Sequence, residues 1–318
     1  MNPVISIIIP ARNEEKYITR CLAGIRKLNY PQDKIEIILV DNNSTDNTVK
    51  IAENFQPIKI LQIEGKISRL RNEGGRMASA KILAFLDADC IPEKDWLKKS
   101  INILKDDNNI KVVSAILSLE NRDTSPWIEK YWIDYLRAGY VNKINFVETI
   151  SSFCFVVDKD TMEKIGWFNE KLSTCEDSDL GYRISQSGFN LCVSRNIETV
   201  HLGNAKTVKQ FYLRQVWQGG SNLKNFFSHK FLLSELPSIL IPAFFLFFFL
   251  LSVILLLLGY AKLGVMVSIF TVFLPVLISW KKNRKLHVQA FFLYSAIWSI
   301  YLFGRGIGLF FSIRHWRN

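Results

Sequence analysis

Ile82-Leu83-Ala84-Phe85-Leu86-Asp87-Ala88-Asp89 is an unbroken apolar run that stops on two carboxylates separated by one alanine. A short continuous apolar run between polar residues reads as a strand covered on both faces, the pattern of parallel sheets. Two acids placed directly after it fall at the C-terminal edge of the sheet, where open α/β folds bind their ligands. The same grammar recurs at Ile37-Ile38-Leu39-Val40-Asp41-Asn42-Asn43-Ser44, and residues 4–9 form another apolar run closed by Pro10. Working outward, runs at 4–9, 35–40, 58–63, 81–86, 110–117 and 152–157 predict strands with helical patterns between them. Ser44-Thr45-Asp46 offers N-caps for a helix over 47–54, and Pro92-Glu93 opens one reaching about residue 105. The expected fold is α/β with a mainly parallel sheet.

Charge divides the chain. Of 318 residues, 40 are Lys or Arg and 29 Asp or Glu, a formal charge of +11. Residues 236–318 hold eight of the basic residues and no acidic one, so residues 1–235 are close to balance and a nucleic-acid partner loses its main support. Residues 236–261 and 263–280 carry no charge at all, and crossing a bilayer takes about 20 apolar residues. A membrane domain over 236–318 is expected, with spans at 238–260, 263–280 and 287–304, following a domain over 1–235.

Within that first domain, 121–147 reads as a helical insertion rich in aromatics, and 207–227 as an amphipathic helix suited to a membrane surface. The basic stretch Lys281-Lys282-Asn283-Arg284-Lys285 belongs in the cytoplasm by the positive-inside rule. The first span is then expected to run outward from a domain on the cytoplasmic side of a multi-pass protein of the cytoplasmic membrane. Arg305, Arg314 and Arg317 do not obey the rule, which leaves open whether 305–318 spans or lies on the membrane. Five cysteines without a C-x-x-C pair fit a reduced compartment. Met-Asn-Pro, without a basic region, does not read as a signal peptide.

Asp-x-Asp occurs three times, at Asp87/Asp89, Asp158/Asp160 and Asp177/Asp179, so context must separate them. The first pair, at a sheet edge, suits oxygen ligation of Mg²⁺ or Mn²⁺ against a diphosphate; a capped turn into the following helix explains the same residues. Asp41 suits a hydrogen bond to a base or ribose, and equally a turn. Arg69, Arg71 and Asn72 precede a helical stretch and suit phosphate or base recognition, or a solvated helix face. Glu176 and Asp177 open a helix whose dipole favours acids there, and a carboxylate in that place also suits a general base. His201 alone is more often a packed histidine than a ligand.

Taken in order, Pro10-Ala11-Arg12-Asn13-Glu14-Glu15, Asp41-Asn42-Asn43-Ser44-Thr45-Asp46, Arg71-Asn72-Glu73-Gly74, Phe85-Leu86-Asp87-Ala88-Asp89, Gly166-Trp167-Phe168-Asn169-Glu170 and Glu176-Asp177-Ser178-Asp179-Leu180 resemble the motifs of family 2 inverting glycosyltransferases over about residues 4–220. The resemblance implies a GT-A fold, a Rossmann-like nucleotide half fused to an acceptor half. It implies that Pro10, Arg12, Glu14, Asp41, Arg71, Asn72 and Asp87 bind the donor, that Asp89 and His201 hold a divalent metal, and that Asp177 is the catalytic base. Glu176, Arg214, Trp217 and Gln218 fall to the acceptor or lipid side.

The implied substrates are a nucleotide-diphosphate sugar, foremost a UDP-sugar, and a lipid-linked or envelope glycan acceptor. Processive members of the family carry Gln-x-x-Arg-Trp, where this chain reads Arg214-Gln215-Val216-Trp217-Gln218-Gly219. A single transfer per encounter is therefore expected. The competing readings are a processive polysaccharide synthase and an inactive membrane scaffold.

Overall fold

The computed structural model describes residues 4–172, 174–228, 236–282 and 288–315. In chain order the elements are β1 (Ile5–Ala11), α1 (Ile18–Arg26), β2 (Ile35–Asp41), α2 (Thr48–Glu53), β3 (Lys59–Gln62), α3 (Ile67–Met77), β4 (Ile82–Leu86), β5 (Cys90–Pro92), α4 (Trp96–Asp106) and β6 (Ile110–Ser118). They continue with α5 (Trp127–Ala138), β7 (Ile144–Val147), β8 (Cys154–Asp158), α6 (Lys159–Ile165), α7 (Glu176–Gln186), β9 (Asn190–His201), α8 (Val208–Ser228), α9 (Leu236–Leu257), α10 (Ala261–Lys282) and α11 (Val288–His315). Residues 1–122 and 133–204 form one compact unit; 123–132 and 205–318 form another.

The first unit is built on a nine-stranded sheet in the order β3-β2-β1-β4-β8-β6-β9-β5, with β7 added along β9. Strands β3, β2, β1 and β4 run parallel, as the apolar runs predict. Beyond β4 the directions mix: β8 is antiparallel to both β4 and β6, β6 and β9 are parallel, and β5 and β7 run antiparallel to β9. The parallel character thus belongs to the N-terminal half, and the half after it is mixed.

Alternate residues of the buried strands serve two cores. Ile5, Ile7 and Ile9 meet Ile18, Leu22 and Ile25 of α1 and Trp96 of α4. Ile8, Val40 and Phe85 face Leu70 of α3, Met162 of α6 and Leu180 of α7. Ile5, Ile7, Ile8 and Ile9 are all fully buried, each contributing roughly 1.5–3 kcal/mol of transfer free energy. The register sets Ala11 beside Asp41 and Ile8 beside Phe85, so the segments leaving β1, β2 and β4 emerge on one edge of the sheet.

The second unit is helical. Three of its helices are long and apolar enough to cross a membrane, over Leu236–Leu257, Ala261–Trp280 and Ala290–Ser312. The third reaches beyond the expected 287–304, because α11 continues through Arg305 instead of ending before it. Arg305 stays in the helix by donating to Gln215 Oε1 (3.1 Å) and Gln218 Oε1 (2.8 Å) of α8 while lying 4.9 Å from the centre of the Tyr301 ring. Gly304 and Gly308 present bare backbone to α8: a Cβ at Gly308 would strike the Val216 carbonyl, the close approach that small residues four apart permit. Residues 283–287, with most of the basic stretch 281–285, lie outside the described residues, as do 229–235 at the expected domain boundary and 316–318 in the tail.

Candidate active site

Asp41 closes β2 and is fully buried. Its carboxylate accepts the backbone N–H of Ser44 at 2.9 Å and the Ser44 hydroxyl, which shapes the turn that follows. The Ser44 hydroxyl also accepts the backbone N–H of Asn13, and Asn13 Oδ1 accepts that of Thr45. Asn13 takes a left-handed backbone, φ 56°, so the loops after β1 and β2 lock together. Pro10 is buried inside β1, and Arg12 stands exposed at the mouth of this edge. Glu14 is partly buried there, and burial together with the charges of Asp89, Asp87 and Asp46 pushes its carboxyl up to about 7.

Asp89 and His201 are brought together by the β5–β9 pairing, in which Cys90 lies opposite His201. His201 Nδ1 is 3.4 Å from an Asp89 carboxylate oxygen, yet it is buried and makes no hydrogen bond. One ligand atom from each of Asp89, Cys90 and His201 lies within 4.8 Å of the others. Gly203 keeps the pocket open, since a Cβ there would collide with the Asp89 carboxylate. A buried ring nitrogen without a hydrogen bond beside a carboxylate is a donor set that fits a divalent cation. Burial and the charges of Asp87 and Asp89 hold the Cys90 thiol well above its ordinary value.

The remaining acids are gathered by Arg71. Its guanidinium, 3% exposed, donates from one nitrogen to Asp87 (2.8 Å) and from the other to Glu176 (2.7 Å). The segment after β4 is thereby tied to the first turn of α7, 105 residues from Arg71. Next to Glu176, Asp177 is partly exposed and accepts the backbone N–H of Ser152 at 3.1 Å and that of Ser178 at 2.8 Å. Burial and the neighbouring Glu176 charge raise its carboxyl to about 6, against the opposing pull of Arg71 and those two N–H groups.

Arg69, Arg71 and Asn72 lie within α3 and not ahead of it. The Asn72 amide is occupied by the 168–170 segment: Nδ2 donates to the Phe168 carbonyl and to Glu170, and Oδ1 accepts the Phe168 N–H. The acceptor-side set is divided, with Glu176 in the first unit and Arg214, Trp217 and Gln218 on α8 of the second. Trp217 is 61% exposed and Gln218 is engaged by Arg305. Ser152 and Gly203 were not among the candidates. Gly203 carried a signal, a glycine two residues past a candidate ligand, whereas Ser152 is tied to Asp177 only by the fold.

Residues 6–166 match the family model described as glycosyl transferase family 2. Glycosyltransferase AglE of Haloferax volcanii is 28% identical over 208 residues, covering 63% of this chain and 67% of that protein. The dolichyl N-acetyl-alpha-D-glucosaminyl phosphate 3-beta-D-2,3-diacetamido-2,3-dideoxy-beta-D-glucuronosyltransferase of Methanococcus voltae is 27% identical over 274 residues, 79% of this chain and 85% of the relative. The fold is similar to that of the mannosyltransferase PcManGT from Pyrobaculum calidifontis, solved with GDP-Man and Mn²⁺, at TM-score 0.62 and 16% identity over 98% of this chain and 88% of that one. Staphylococcus aureus TarS with UDP-GlcNAc gives TM-score 0.50 at 20% identity, covering 74% and 70%. With the family model spanning half of the residues and a GT-A sheet beneath it, this chain belongs to glycosyl transferase family 2.

Proposed function

We propose that the chain is a membrane-anchored, inverting, metal-dependent glycosyltransferase that moves one sugar per encounter from a nucleotide-diphosphate donor to a lipid-linked or envelope glycan acceptor. The observation that carries this reading is the Arg71 bridge, which sets the acids after β4 beside the helix that bears Asp177. Donor residues and a candidate base then share one edge of one sheet.

In this reading Glu14 and Asp41 hold the nucleoside, Arg12 lines its entrance with the buried Pro10 behind it, and Asp87 meets the ribose or sugar. Asp89 and His201 would hold the cation, and a carboxylate joined by an imidazole favours Mn²⁺ over Mg²⁺, which prefers oxygen alone. Such an ion, when bound, offsets the charge that builds on the departing diphosphate. Asp177 takes the proton from the acceptor hydroxyl while that oxygen bonds to C1 on the face opposite the leaving oxygen. One displacement inverts the anomeric centre, and the C1–O bond to the diphosphate breaks as the new one forms.

A membrane-held acceptor is supported by the three apolar helices and by the Methanococcus relative, whose name specifies a dolichyl-linked phosphate acceptor. The structural neighbours, solved with UDP-GlcNAc and with GDP-Man, make uridine and guanosine donors the first to try. Purified chain, stripped with EDTA, is given each nucleotide sugar with a polyprenyl-phosphate glycan acceptor, and products are sized by mass spectrometry. The expected result is no transfer without metal, recovery with Mn²⁺ above Mg²⁺, and a single added sugar of inverted configuration by NMR. Full activity of the stripped enzyme removes Asp89 and His201 as metal ligands, and a ladder of long products defeats single transfer.

A further inference from the structure

Two of the sequence motifs, around Arg71-Asn72 and around Gly166–Glu170, lie far apart in the chain yet form one device. Along one face of α3, Arg71 reaches Glu176 and lies 5.5 Å over the Phe168 ring, and Asn72 makes its three hydrogen bonds to Phe168 and Glu170. Gly75 and Arg76, one turn on, complete that face. The Trp167 ring lies so close to Gly75 that a Cβ there would clash, and the Arg76 guanidinium stacks 5.6 Å from the same ring. Just ahead of the helix, Lys66 donates to the Lys171 carbonyl at 2.7 Å. Gly166 and Trp167 both adopt positive φ, 92° and 64°, so the chain turns sharply as it enters this contact.

These two side chains have little left for a ligand. Asn72 is 1% exposed with three of its four hydrogen bonds made, and both terminal nitrogens of Arg71 are committed to carboxylates. Its Nε is buried and makes no hydrogen bond. With Arg71 3% exposed, a phosphate would have to displace the packing around the guanidinium before meeting any of its remaining N–H groups.

We propose that Arg71 and Asn72 are positioning residues and not donor ligands: α3 clips residues 167–171 and Glu176 to the donor half of the sheet and so fixes where the Asp177 carboxylate stands. The clip rests on Asp177 as the base of the proposed reaction. Misplacing a reacting group by about 1 Å costs on the order of 10²-fold in rate, and local opening of a packed segment is read directly by amide exchange.

Full-length chain in detergent supplies the test, with Asn72→Ala and Arg71→Lys compared with the parent. Measured are kcat, the Kd for UDP or GDP with Mn²⁺ by calorimetry, and hydrogen exchange over 166–177. The clip predicts that kcat falls by about 10²-fold, that Kd stays within about twofold of the parent (no lost donor contact), and that exchange over 166–177 speeds up. Nucleotide binding weakened by about tenfold or more, with exchange unchanged, overturns the proposal and returns both residues to the donor site. Unchanged kcat overturns it as well. Should Arg71→Lys fail to fold, Asn72→Ala carries the test, since it leaves both ion pairs in place. Asp177→Asn run alongside separates the two readings: transfer there at the parent rate removes Asp177 as base, while the exchange result still judges the clip.

Discussion

As the proposed base, Asp177 sets the pH dependence expected of the reaction. With its carboxyl near 6, the group is protonated below that pH and has no capacity to accept the acceptor's proton. At saturating substrates kcat should fall about tenfold per pH unit below 6 and level off above it. Asp177→Asn removes the proposed base at similar size and keeps one acceptor oxygen of the two that now take the Ser152 and Ser178 N–H groups, so transfer should drop by at least about 10²-fold and the acid limb should vanish. A variant that retains both the parent rate and the limb moves the base elsewhere, with Glu176 and Asp179 next to be tried. Residue identity was legible in the sequence wherever a side chain follows directly on a strand, as Asp41, Asp87 and Asp89 do. What Arg71 and Asn72 touch was not legible, because, Asp87 apart, their partners lie 96 to 105 residues away and no local spacing encodes that distance.

At the scale of elements, the strands that read clearly are β1, β2, β4, β6 and β8, with continuous apolar runs, and β3, expected over 58–63. The three that escaped are β5 and β7, with only three and four residues, and β9. Between Ser194 and Glu198, β9 shifts register against β6, interrupting its apolar run with exposed Arg195 and Asn196. Without β9 the placement of His201 beside Asp89 has no visible cause. The N-terminal edge has its own latch: Glu36 of β2 accepts from Ser6 of β1, Lys59 of β3 and both the N–H and hydroxyl of Ser79. Burial opposes its charge, but these donors outweigh burial and hold the carboxyl near 2 against a usual 4.5. A depressed carboxyl contributes stability that is full above about 4.5 and is lost as pH falls toward 2. Glu36→Gln should therefore lower the thermal midpoint at pH 7 and remove much of the decline between pH 4.5 and 2. Parallel melting curves for parent and variant over that range check it, and identical pH dependence in the two would show that the latch contributes nothing.

At the scale of the whole molecule, three helices long and apolar enough to cross a membrane stand where the sequence places apolar spans, but the last runs further than expected. A charge at the centre of a spanning helix costs roughly 2.5–3.5 kcal/mol on insertion scales, which is why a charge-free reading stops before Arg305. The Gln215 and Gln218 oxygens, together with the Tyr301 ring, give that guanidinium polar company, and the helix runs on to His315. Topology then follows from charge. The eight basic residues of 236–318 include four between 281 and 285, and the positive-inside rule predicts a cytoplasmic side for this cluster. In the proposed topology α9 runs outward and α10 returns, with the turn around Gly259, at φ 84°, outside. Nucleotide sugars reach the donor site only if residues 1–228 remain inside. Single cysteines at positions 261 and 283, in a chain whose five native cysteines are replaced, are exposed in intact cells to a thiol reagent that does not cross the membrane. Labelling at 261 with protection at 283 is expected. The opposite pattern would place the sheet and its acids on the outer face, away from the cytosolic nucleotide sugars, and the proposed donor chemistry would fall with it.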